Sequence, residues 1–163
     1  MLDGPSVAKA IADSGVTDVV WIPDSELGLW EEGLRAEARL RLIRACREGE
    51  AIVLAAGLLL GGRRPMVMIQ CTGLFEAGDA LRNIVHDLKL PLFLVVGVRS
   101  YFPHQQGTSL DSCPVFTEPI LQAWRIPYVL LHKDQGADAL AAAYQQARQE
   151  RRAGAVLLPE GGP

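Results

Sequence analysis

The chain has 163 residues, 49% hydrophobic and 21% charged, ordinary for a globular domain and enough to bury a sizeable core. Its net charge of -3 excludes a nucleic acid or an anionic membrane as a partner attracted by bulk charge. Cys46, Cys71 and Cys113 stand far apart without a Cys-x-x-Cys pair, which argues against a metal site and for reduced thiols. No apolar run approaches the ~20 residues of a membrane span. The start of the chain lacks a basic segment followed by an apolar one, so a soluble, cytoplasmic protein is expected.

Asp3-Gly4-Pro5 opens a helix over 5–12, with Val7, Ala8 and Ile11 on one face, and Gly15 closes it. Residues 18–22 read as a buried strand stopped by Pro23. Ser25 is a candidate cap for a helix over 26–36, and a short strand over 40–43 follows. The next helix, 48–60, ends at Gly61-Gly62. A strand over 66–70 leads to a helix over 75–88, with Leu81, Ile84, Val85 and Leu88 on one face. The apolar run 91–98 is the plainest strand, and 99–115, with Pro103, Gly107 and Pro114, reads as an ordered loop. A helix over 116–124, a strand over 128–131, a helix over 136–151 and a strand over 156–158 complete the chain.

Strands alternating with helices predict an α/β fold, a doubly wound, mostly parallel sheet of about six strands with helices on both faces. One domain spanning 1–163 is expected. Ligands in such folds bind at the carboxyl ends of the strands, so segments 23–25, 46–48, 71–73 and 99–104 should share one edge.

Arg47-Glu48-Gly49-Glu50 heads a helix that is otherwise almost wholly apolar, with small residues at Ala51, Ala55, Ala56 and Gly57. A carboxylate at the mouth of so apolar a segment costs free energy unless something pairs with it. A protonated ring nitrogen is one such partner. The helix N-terminus itself is another, contributing roughly 0.3–1 kcal/mol. Glu50 is turned about 200° from Glu48, so the two cannot face one ligand, and the spacing to Ala55-Ala56-Gly57 favours Glu48.

Four motifs in register give the chain its resemblance to a family. Ile22-Pro23-Asp24-Ser25-Glu26-Leu27 resembles a Val-Pro-Asp-Ser-x-Leu turn, and Glu48 to Gly57 resembles Glu-Gly-x-Ala-x-x-Leu-Ala-Ala-Gly. Gln70-Cys71-Thr72-Gly73-Leu74 resembles Gln-Asn-Ser-Gly-Leu, and Gly97-Val98-Arg99 resembles the start of Gly-x-Arg-Gly. Together they resemble the pyrimidine-binding domain of thiamine-diphosphate-dependent 2-oxoacid decarboxylases, in particular the sulfopyruvate and phosphonopyruvate decarboxylase group.

The resemblance implies that Glu48 hydrogen-bonds N1′ of the cofactor's aminopyrimidine and activates it, with Pro23, Thr72, Gly73 and Leu74 also at the cofactor. It implies a catalytic histidine, for which His104 is the candidate, contacting substrate or shuttling a proton. A solvated loop histidine is the plain alternative. Asp24, Ser25, Cys71, Phe75 and Arg99 are the candidates on the substrate side. From the residues alone, Asp24 and Ser25 read equally as a turn with a helix cap, and Arg99 as a surface ion pair. Cys71 reads as a small buried thiol, and Gly73 as a position where cofactor or substrate comes close to the backbone.

Phe75 and Glu76 stand where the family has a glycine and a neutral amide. Glu76 adds negative charge where a sulfonate or phosphonate would bring its own, which favours a larger or less charged 2-oxoacid. The family's Gly-Asp-Gly and later Asn-Asn, which hold Mg2+ and the diphosphate, do not occur in this sequence. The resemblance therefore implies a split enzyme. This chain would be the catalytic alpha subunit of a hetero-oligomer, and a beta subunit would hold Mg2+ and the diphosphate end of thiamine diphosphate. The alternatives are a carboligase (acyloin-forming) subunit using the same cofactor, or a non-catalytic regulatory subunit that keeps the fold.

Overall fold

The computed structural model describes residues 2–25 and 27–160. Its strands are β1 (Asp18–Trp21), β2 (Arg41–Arg44), β3 (Pro65–Gln70), β4 (Phe93–Val98), β5 (Tyr128–Leu130) and β6 (Gly154–Pro159). All pair in parallel in one sheet, in the order β2-β1-β3-β4-β6-β5. The helices are α1 (Gly4–Asp13), α2 (Glu31–Ala36), α3 (Glu48–Leu60), α4 (Cys71–Glu76), α5 (Gly78–Leu81), α6 (Tyr101–Gln105), α7 (Cys113–Ala123) and α8 (Gly136–Gln149). The expected α/β fold with a parallel sheet is what the chain adopts.

Side chains alternate across a strand, so each strand of the sheet centre feeds two cores. Val20, Val67, Ile69, Leu94, Val96 and Leu157 pack with Ala51, Ile52, Ala55, Leu74 and Leu121 from α3, α4 and α7. Val19, Trp21, Met66, Met68, Val95 and Val156 pack on the other face with Val7, Ile11, Leu34, Leu140 and Tyr144 from α1, α2 and α8. β2 closes one edge, where exposed Arg41 and Arg44 discourage further strand pairing.

Several boundaries differ from the sequence reading. The helix expected at 26–36 is a 3-10 turn, Leu27–Trp30, running into α2, and Glu26 lies outside the described residues. Asp24, not Ser25, caps that turn: its Oδ1 accepts the Leu27 N–H at 2.9 Å, while Ser25 is exposed. α4 begins directly after β3 rather than at Phe75, because Gly73 and Leu74 are drawn into the core. The helix expected over 75–88 breaks at Ala77, continues as α5 and widens into a π-turn over Arg82–Asp87. The expected loop 99–115 contains α6, and α7 starts at Cys113 with Pro114 in its first turn, where a missing N–H costs nothing.

At the amino ends of the strands, where β1 begins, Asp18 is wholly buried. Its carboxylate accepts from Arg41 Nε at 2.6 Å, Arg63 Nε at 2.8 Å and the Thr17 hydroxyl at 2.6 Å. Burial pushes its pKa up, but Arg63, Thr17 and Arg41 outweigh it and hold the carboxyl below the usual range. A depressed native pKa means stability that is present above the unfolded value, near pH 4, and lost as pH falls through the native one. Asp18→Asn should lower stability by about 1–3 kcal/mol at neutral pH, since hydrogen bonds to a charged group are lost. Urea titrations should show the gap to the native chain narrowing as pH drops through about 4. A gap independent of pH would refute the assignment.

Candidate active site

Because every strand is parallel, the segments leaving β2, β1, β3 and β4 line one edge in that order, across three strand spacings or about 14 Å. The β1 exit is pinned beside β3 by the Ile22 N–H to the Met68 carbonyl, 3.2 Å, and the β2 exit beside β1 by Ala45 N–H to the Trp21 carbonyl, 3.1 Å. The expected clustering of 23–25, 46–48, 71–73 and 99–104 therefore holds.

Three carboxylates converge on the first turn of α3, and they are not equivalent. A helix start exposes four unbonded N–H groups, and a side chain that accepts from them is held there. Glu76, on the last residue of α4, accepts the Gly49 N–H at 2.8 Å and ion-pairs with Arg47 Nη2 at 2.5 Å. The Gly49 N–H first, and Arg47 second, hold its carboxyl below the usual carboxylate range. Glu50 turns back to accept the Cys46 N–H at 2.9 Å. Glu48 is half-buried and, among the described residues, makes no hydrogen bond or ion pair. It is the carboxylate left for something else.

Gly73 explains where Glu48 lies. A Cβ built on Gly73 would fall 2.3 Å from Glu48 Cγ, 2.5 Å from Oε1 and 2.7 Å from Cδ. The glycine gives up its side-chain space to Glu48. Thr72, one residue earlier, is exposed and bonds Gln70 Oε1 at 3.1 Å; Leu74 is buried in the core. Phe75 is half-buried and Pro23 exposed. Cys71 is fully buried. Cys113 is buried as well, and its thiol is pushed up to about 12 by burial, then by Asp111 and Cys71.

On the β4 exit, Arg99 is paired with Asp111, Nε to Oδ2 at 2.7 Å. The Cys113 N–H first, with Arg99 behind it, holds the Asp111 carboxyl down at about 2. Ser100 takes a left-handed φ of 56°, stabilised by its N–H donating to Glu160 Oε2 at 2.8 Å, and this starts α6. α6 carries His104, half-buried, whose Nδ1 is buried and without a hydrogen-bond partner among the described residues. Thus Glu48 and Gly73 meet directly, Asp24 is committed to a cap, and Arg99 to an ion pair.

Sequence reasoning missed the Glu76 and Glu50 bonds. Glu50 has a faint signal, lying at the third helical position as in a capping box. Glu76 has none, since its target is 27 residues away. Its charge is spent on Arg47 and on the α3 N-terminus, which corrects the reading of Glu76 as a free charge facing substrate. The described residues contain no group of three or more His, Cys, Asp or Glu placed to hold a metal, and no helix long and apolar enough to cross a membrane.

No family model matches the chain. It is similar to the sulfopyruvate decarboxylase subunit alpha of Methanococcus maripaludis, 28% identical over 123 residues, 76% of this chain and 73% of that one. The Methanocaldococcus jannaschii subunit of the same name is 22% identical over 61% of this chain and 59% of that one. Phosphonopyruvate decarboxylase of Streptomyces viridochromogenes is 26% identical over 95 residues, 58% of this chain but only 24% of that enzyme. Among solved structures, benzoylformate decarboxylase from Polynucleobacter necessarius shares the fold, with a TM-score of 0.72 at 19% identity, covering 98% of this chain and 30% of that one.

Gly73→Ala should fold with Glu48 displaced. The new Cβ falls on Glu48 Cγ as well as on Cδ and Oε1, so the side chain must swing about its first torsion, a cost set against the roughly 1 kcal/mol that alanine gains over glycine in a helix. A crystal structure of the variant should show Glu48 in another rotamer. An unmoved Glu48 would refute the contact.

Proposed function

We propose that this relative of the sulfopyruvate decarboxylase alpha subunits is the pyrimidine-binding subunit of a split thiamine-diphosphate-dependent 2-oxoacid decarboxylase, with Glu48 as its activating carboxylate. The observation that carries the reading is the difference among the three carboxylates at the head of α3. Glu50 and Glu76 are engaged, whereas Glu48 is half-buried, unengaged among the described residues and seated in the notch of Gly73.

These residues fit the cofactor. A carboxylate held at the rim of an apolar helix is suited to a ring nitrogen that must share or carry a proton. Thiamine diphosphate, when bound, supplies the electron sink that a 2-oxoacid needs to lose carbon dioxide. Glu48 would hold the proton at N1′ of the aminopyrimidine, with Pro23, Thr72 and the backbone of Gly73 and Leu74 as the other cofactor contacts. His104, with its unpartnered buried Nδ1, is the proposed proton carrier at the substrate. Asp24, Ser25, Cys71, Phe75 and Arg99 would line the substrate side. Because Glu76 is neutralised by Arg47, it gives no electrostatic reason to exclude a sulfonate or phosphonate substrate.

A partner is supported by α3 itself. Its inner face, Ala51, Ile52, Ala55 and Ala56, is buried, yet Val53, Leu54 and Leu60 on the outside are exposed at 55%, 39% and 72%. A helix apolar all round is ordinarily covered on every side. We assign the cover to the beta subunit that would hold Mg2+ and the diphosphate.

Two experiments test this. Glu48→Gln, co-expressed with the partner, should abolish turnover of a 2-oxoacid while the complex still assembles; near-native turnover would sink the assignment. Leu54→Glu should release the partner on size-exclusion chromatography with the chain still folded. Undisturbed assembly would place the interface elsewhere.

A further inference from the structure

The geometry points to Glu76 as a positioning residue for Glu48. α4 grips the head of α3 at two points one turn apart. Gly73 receives the Glu48 side chain, its missing Cβ leaving the space that Cγ, Cδ and Oε1 occupy. Glu76 holds the adjoining backbone, its Oε2 accepting the Gly49 N–H at 2.8 Å and its Oε1 taking Arg47 from the other side of Glu48. The residues on both sides of Glu48 are thus tied to one carboxylate, and the Glu48 side chain lies against the same short helix.

Arg47 itself carries no side-chain cap, and its backbone is extended, with φ -143° and ψ 151°. Without Glu76 the Gly49 N–H has no acceptor from the helix's own residues, and the first turn is free to fray. Glu50 does not replace it, because its carboxylate already accepts the Cys46 N–H. The Arg47 guanidinium is 75% exposed, so the pair with Glu76 is screened by water, and the backbone bond is the anchor. Fraying moves the Cα of Glu48 relative to Gly73, and a carboxylate misplaced by about 1 Å loses about a hundredfold in rate. Glu76 touches neither substrate nor cofactor in this role; it acts through Glu48.

The inference rests on Glu48 being the activating carboxylate, and its test separates the two. The tagged chain with its co-purifying partner is loaded with thiamine diphosphate and Mg2+. Deuterium exchange at the bound cofactor's thiazolium carbon is then followed by acid quench and proton NMR, beside cofactor affinity and melting temperature. Glu76→Ala should slow exchange by about tenfold to a hundredfold with cofactor affinity retained. Glu76→Gln, which keeps an oxygen for the Gly49 N–H, should restore most of the rate. If Glu76→Ala exchanges at the native rate while Glu48→Gln has lost exchange, positioning by Glu76 is overturned and the Glu48 reading stands. If Glu48→Gln exchanges at the native rate, the Glu48 reading falls and this inference with it. A Glu76→Gln variant as slow as Glu76→Ala, or loss of cofactor affinity in Glu76→Ala, would also overturn the anchoring role.

Discussion

A parallel strand can be followed by another only through a crossover, and the crossovers cover both faces of the central strands of this parallel sheet. Everything else in this chain follows from that constraint. Both faces of the central strands must be apolar, as the unbroken burial of β1, β4 and β6 shows. Every crossover must leave from the same edge, so four chain segments far apart in sequence are delivered to one rim. The opposite rim is closed by structural means, with Asp18 gathering Arg41 and Arg63 where β1 and β2 begin.

At the rim that carries the candidate site the decisive physics is a contest for hydrogen bonds. The head of α3 offers donors that its own helix cannot satisfy, and carboxylates are drawn to them by geometry and by the helix dipole. Glu76 and Glu50 answer that demand with directed bonds to Gly49 and Cys46. Glu48 sits in the same positive field, but its carboxyl makes no hydrogen bond or ion pair among the described residues. The same logic separates Arg99 and His104. The arginine is absorbed by Asp111, whereas the histidine keeps a buried nitrogen without a partner among the described residues.

α3 joins the site to the proposed assembly. Its inner face completes a core of the sheet, its head presents Glu48, and its outer face leaves Val53, Leu54 and Leu60 uncovered. A partner seated on that face would touch the helix that orients the carboxylate, so association and catalysis would share one structural element.

The sequence by itself determined the fold class, the order and type of the main elements and the rim on which candidate residues gather. Strand and helix periodicities are local, and parallel topology follows from their alternation. It also put Glu48 and Gly73 forward as candidates through motif spacing, and the structure places the two in contact. What it misjudged was partnership. Ser25 looked like the cap, yet Asp24 makes the bond; Glu76 looked like a free charge, yet it is bound to Arg47 and Gly49. The broken helix after Phe75 was likewise invisible, since the spacing of Leu81, Ile84, Val85 and Leu88 suits an unbroken helix; past the π-turn Leu88, expected on the apolar face, is exposed. Only tertiary structure decided these points, because a hydrogen bond between residues 27 positions apart depends on where two helices cross the sheet edge, and neither local propensity nor periodicity encodes that.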